Sequence, residues 1–243
     1  MIPFHPGKKA LQKVGPEGQK PVVLDIREQI RLWRKANRKM KWGIKEDEFG
    51  QIGGLLPLTQ EERKQGYIGT GLFYGFGDDG FGKSNSVLSG KAAWEFACKG
   101  LWKKTWRCEY IDFKKSDHMR LRPEAPFRPK GFYYAKFTTG EKYQHLTVSQ
   151  RRKKFGDETG CGPEGIQLLA ITHKHFQKLM NDRKMLFMAF ADYDIAPYGF
   201  NDFFDSMQMF CSNGVLGLGI GNVDQNYPRF GIPTLRLLPQ QDG

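Results

Sequence analysis

Apolar positions along the chain follow two rhythms, and each predicts its own set of elements. After Asp25, whose pairing with Glu28 has the form of a capping box, Ile26, Ile30, Trp33 and Met40 recur near helical spacing, predicting an amphipathic helix to about residue 41. Thr59 with Glu62 repeats the signature on a short helix that Gly66 can end, and Thr147 with Gln150 repeats it again. Residues 84–99 fit a helix weakened by Gly90, and Pro163 with Glu164 opens a helix running to about Asn181.

The second rhythm is that of strands. Residues 105–113 and 131–137 are rich in aromatic and β-branched side chains, and residues 185–191 form an apolar run of buried-strand length that ends at Asp192. Residues 215–220 and 234–238 are further short strands. Between residues 66 and 82 aromatics alternate with repeated glycines, which predicts tight turns or close backbone approaches that a side chain would block. Helices and strands interleave without a repeat or a linker. The expectation is one α+β domain over residues 21–243, with a mixed or antiparallel sheet and a basic N-terminal helix. Residues 1–20, rich in Pro, Gly and Lys, precede it as an extended arm.

Composition narrows the classes. With 39% apolar residues and 19 Phe the chain carries enough large side chains to build a core, which separates it from disordered proteins. No run approaches the roughly 20 apolar residues that cross a bilayer, and the first residues lack the apolar centre of a secretion signal, so no membrane partner and a cytoplasmic location are expected. Cys98, Cys108, Cys161 and Cys211 form no CxxC pair, and buried free thiols are expected.

Charge is unevenly spread. Residues 1–45 hold twelve Lys and Arg against Glu17, Asp25 and Glu28, giving +9 of the total +12. Residues 185–228 contain no Lys or Arg but hold Asp192, Asp194, Asp202, Asp205 and Asp224. Such opposite fields suit either an anionic partner at the N-terminal part or internal pairing between the two regions.

Two functional readings follow. In the first, Arg31, Arg34, Lys35, Arg38 and Lys39 contact the phosphates of a nucleic acid or another polyanion, such as an acidic protein, and Trp42 supplies a stacking ring. Residues 99–115 mix cations and aromatics in the same way. In the second, residues 77–84 satisfy G-x-x-x-x-G-K-[ST] through Gly77, Gly82, Lys83 and Ser84, and so resemble the phosphate-cradling loop shared by many unrelated nucleotide-binding proteins. That resemblance implies a nucleotide-binding enzyme with Mg²⁺ held by Ser84 and Asp192. Two aspartates inside the loop, Asp78 and Asp79, oppose an anionic ligand. The acidic set around Asp192 and Asp194 also offers hard oxygen ligands, against which stands an ordinary role for Asp at turns.

Overall fold

The computed structural model describes residues 23–54, 57–77, 85–99, 102, 104–113, 118–171, 187–196, 203–212, 215–226 and 230–239. Among them the α+β architecture is clear. The expected arm at 1–20 lies outside them.

Helix α1 (Ile26–Met40) starts where Asp25 accepts a hydrogen bond from the Glu28 amide at 2.9 Å, and ends at Lys41 in a left-handed conformation. Short helices α2 (Glu46–Gly50) and α3 (Gln60–Lys64) follow, the second closed by the Thr59–Glu62 capping box. The glycine-rich segment is strand β1 (Tyr67–Gly75), and α4 (Asn85–Cys98) comes next. Close approaches explain two of the glycines: a Cβ at Gly75 would lie 1.9 Å from the Pro129 carbonyl oxygen, and one at Gly90 would lie 2.6 Å from the Tyr193 hydroxyl. Gly90 costs α4 helical propensity and gains a close approach to the strand bearing Tyr193.

The remaining elements are β2 (Lys104–Arg107), β3 (Met119–Leu121), β4 (Gly131–Thr138), α5 (Val148–Arg152), β5 (Thr159–Gly160), α6 (Pro163–Ile171), β6 (Phe187–Ile195), β7 (Asp205–Ser212), β8 (Val215–Asn222), β9 (Phe230–Gly231) and β10 (Thr234–Leu237). They form two sheets. One is antiparallel in the order β1-β4-β10-β5. The other is mixed, in the order β2-β8-β7-β6-β3 with β9 also on β6, and its β2–β8 and β6–β9 pairs are parallel.

One apolar core runs through both sheets and the helices, joining Trp33, Phe73, Phe137, Leu169, Phe190 and Leu218. A smaller cluster lies beneath α5, built from Val148, Phe155, Ala189, Ala191, Val223 and Ile232.

The open edge of β1 is closed by side chains. The Gln29 amide donates to Thr70 O at 3.1 Å and its carbonyl accepts from Leu72 N at 2.8 Å. Further along, Gln167 donates to Tyr74 O at 2.8 Å and accepts from Tyr74 N at 3.1 Å. Trp33 Nε1 donates to Leu72 O at 3.0 Å. Two glutamines and a tryptophan thus stand where another strand would otherwise add, which removes a pairing edge from solvent.

Several expected boundaries shift for identifiable reasons. β2 stops at Arg107 instead of running to residue 113, because the chain turns, with Ile111 N donating to Cys108 O at 3.1 Å. β6 continues past Ala191 through Asp192 and Asp194, whose carboxylates have arginine partners within the protein. α6 is seen to Ile171, and its expected continuation lies outside the described residues. Of the three cysteines whose side chains are described, Cys161 is buried, Cys108 is half-buried and Cys98 is exposed, so burial is not their common state.

Candidate functional site

The first candidate surface is α1. Trp33, Ala36 and Gln29 bury one face, and at about 100° per residue the opposite face presents Arg31, Lys35 and Arg38. Arg31 bonds Glu28 one turn earlier at 2.5 Å, and Arg34 pairs with Glu46 while its guanidinium lies 5.2 Å from the Phe49 ring centre. The Lys39 ammonium sits 6.0 Å from the Phe96 ring centre. Among the described residues, Lys35 and Arg38 form no ion pair. Trp42 is half-buried and packs against Phe76 at 5.0 Å, Phe96 at 5.9 Å and Trp33 at 6.0 Å. It belongs to the aromatic cluster that seats the helix.

The second candidate is the loop at 77–84. Gly77 is described, with φ +24°, and Gly82, Lys83 and Ser84 lie outside the described residues. The flanking order, β1 before and α4 after, is that of a strand and a helix. Asp192 is not brought beside this strand. It sits on β6, in the other sheet, with no solvent exposure.

Asp192 is instead surrounded by a network that the sequence pattern does not reveal. Arg128, in the coil between β3 and β4, donates from Nη2 to Asp192 Oδ2 at 2.8 Å and to Gly160 O at 3.0 Å. Its Nε donates to Glu164 Oε1 at 2.7 Å, and Nη1 donates to Pro126 O at 2.8 Å. Asp192 also accepts from the Thr159 hydroxyl, from Gly160 N at 3.1 Å and from Arg122 at 3.4 Å. Glu164, in the first turn of α6, accepts further bonds from Tyr133 at 2.8 Å and from Gly162 N at 3.0 Å. Each buried carboxylate oxygen has a donor, the condition under which a buried ion cluster is tolerable.

Burial pushes the Tyr133 and Tyr193 hydroxyls and the Cys161 thiol well up, and the negative charge of Glu164 adds to it. These three groups therefore keep their protons, and Cys161 is not a thiolate nucleophile. Further along β6, Asp194 accepts from Arg152 at 2.7 Å and lies 3.9 Å from Arg120, whose guanidinium stacks 3.7 Å from the Phe203 ring centre. The two aspartates of β6 are thus matched by arginines of the same domain. Beside them opens a cleft of about 450 Å³ lined in part by Arg122, Arg152 and Lys153. Its carboxylates Glu124, Asp157 and Glu158 are paired with Arg122, Arg236 and Arg151.

The available signal for this network was the spacing Asp192, Asp194 on one strand and Arg120, Arg122 in and just after another. Antiparallel pairing of Arg120 with Asp194 turns that spacing into cross-strand partners. Among the described residues, no group of three or more His, Cys, Asp or Glu side chains is placed to hold a metal ion. No described helix is long and apolar enough to cross a membrane. Comparison with protein-family models, curated proteins and solved structures finds no match to this chain.

Proposed function

We propose that this chain binds nucleic acid through the exposed face of α1, with Arg31, Arg34, Lys35, Arg38 and Lys39 as its phosphate contacts. One observation carries the reading: Asp192 and Asp194 pair with Arg120, Arg122, Arg128 and Arg152 and not with α1, whose Arg31 and Arg34 have only the surface partners Glu28 and Glu46, while Lys35, Arg38 and Lys39 form no ion pair among the described residues. The helix is about 22 Å long, enough to follow several successive phosphates. Trp42 packs inward, which makes the α1 contribution electrostatic and indifferent to base sequence. The nucleotide reading has less support, because the carboxylate that would hold Mg²⁺ is already taken by Arg128 and Thr159.

The test is equilibrium binding of a labelled single-stranded oligonucleotide followed by fluorescence anisotropy. Five phosphate contacts give a loss of affinity on the order of 100-fold between 50 and 200 mM salt. A flat response, or preference for an acidic polypeptide over the oligonucleotide, would remove the proposal.

A further inference from the structure

Strand β2 lies at one end of the six-stranded sheet, and its Trp106 is 50% exposed. Exposing an indole to this degree forgoes a large apolar burial, and the other tryptophan of the same run, Trp102, is buried at 7%. The strand register explains what the exposed ring lies upon. Gly217 of β8 faces Trp106 on one side and Phe210 of β7 on the other. The two rings flank it with centroids 5.8 Å apart and planes tilted by 40°.

Of the glycines beneath them, Gly217 is the one a side chain could not replace without displacing a ring. A Cβ at Gly217 would come within 2.0 Å of the Phe210 ring, and one at Gly219 would meet the Trp106 ring at 3.8 Å. The face is therefore a glycine floor bearing one half-exposed and one partly exposed aromatic ring. Lys104, two residues before Trp106 and on the same side of the strand, is exposed, while Arg107 alternates to the other side and lies over the Phe113 ring. A face of open rings beside the Lys104 ammonium suits planar, apolar-faced groups attached to a negative chain.

We propose that this face, centred on Trp106 and Phe210, is a stacking platform for unpaired bases, so the nucleic acid taken is single-stranded. The inference rests on the nucleic-acid reading and adds to it the ring contact that Trp42 does not offer. Bases stack on the sheet beside Lys104, and the α1 cations hold phosphates elsewhere along the same strand of nucleic acid. A duplex, whose bases are already stacked on one another, gains nothing from the rings.

The experiment measures binding of oligo(dT), a duplex of equal length and inorganic polyphosphate to the whole chain and to three variants. Trp106→Ala is expected to weaken oligo(dT) about tenfold, leaving duplex and polyphosphate unchanged, and Trp106→Phe to regain part of the loss. The Lys35→Gln, Arg38→Gln, Lys39→Gln variant is expected to weaken all three ligands. Circular dichroism and Tm monitor folding of each variant.

If Trp106→Ala and Trp106→Phe both bind oligo(dT) like the parent while the triple variant does not, the platform is wrong and the α1 reading stands. The platform is equally wrong if Trp106→Ala changes only the oligomeric state, since the face then joins copies of the chain. If oligo(dT) binding depends on Trp106 but not on the α1 cations, the platform stands and α1 is not the phosphate site. If the parent chain binds neither oligo(dT) nor polyphosphate, both proposals fall.

Discussion

Arg128 donates from Nη2 to the Asp192 carboxylate at 2.8 Å, and the Asp192 side chain has no solvent exposure while that of Arg128 has 1%. Through the same guanidinium Arg128 also reaches Glu164 of α6 and Gly160 of β5. A single side chain in a coil therefore ties the antiparallel sheet, the mixed sheet and a helix together.

Removing it should be costly. Arg128→Ala leaves the buried Glu164 without its cation and Asp192 with Arg122 alone, a loss of roughly 3–5 kcal/mol. For a chain of this size that is a fall in Tm on the order of 10 °C. Arg128→Lys should not restore stability, because an ammonium cannot match the planar fork that serves four acceptors. Urea unfolding of both variants measures this, and a loss under about 1 kcal/mol would show that the network contributes little net stability.

The Gln29 side chain offers a second, more local test. Gln29→Ala leaves the Thr70 carbonyl and the Leu72 amide without the partners that close the edge of β1. The expected cost is about 2–4 kcal/mol for two buried polar groups. Hydrogen exchange gives the finer readout: the Leu72 amide should lose protection in the variant more than amides of the mixed sheet. Uniform loss across both sheets would mean that Gln29 acts on global stability alone.

Titration of Asp205 gives a prediction with a defined sign. Burial raises this carboxyl above its ordinary value of 3.8, so the folded protein holds the proton more tightly than the unfolded chain. Its contribution to stability is fully present below pH 3.8 and is lost as pH rises through the higher folded value. Asp205→Asn, which cannot ionise, should therefore raise Tm slightly at pH 7 and leave it unchanged near pH 3. An equal gain at both pH values would trace the effect to packing instead of charge.

Much of the fold was legible because it is locally encoded. Asp25, Thr59 and Thr147 mark helix starts through their own hydrogen bonds, and residues 131–137 carry four strand-favouring aromatics, Phe132, Tyr133, Tyr134 and Phe137. β7 was hidden: its Met207 and Met209 turn inward at alternate positions, but Asp205, Ser206 and Gln208 around them dilute the strand signal. β3 is three residues long, too short for a period to register. The arginine–carboxylate network was illegible for a different reason. Arg128, Glu164 and Asp192 are far apart in sequence, and only the meeting of β5, α6 and β6 brings them within hydrogen-bond distance.

The helix surface divides the same way. Periodicity placed cations opposite Trp33, whereas the inward packing of Trp42 depends on Phe76 and Phe96, residues of other segments. Cation and aromatic runs therefore say which residues are available for a polyanion. Tertiary contacts decide which ring is exposed.

The central claim is that the α1 cations meet phosphate directly, and the salt dependence of binding measures that contact. For a single-stranded oligonucleotide, replacing Lys35, Arg38 and Lys39 together with Gln should reduce the slope of log K against log salt by about 2, one increment of roughly 0.7 per lost phosphate contact. A slope that stays at the parent value in the triple variant would contradict that claim, since those side chains would then release no counterions on binding.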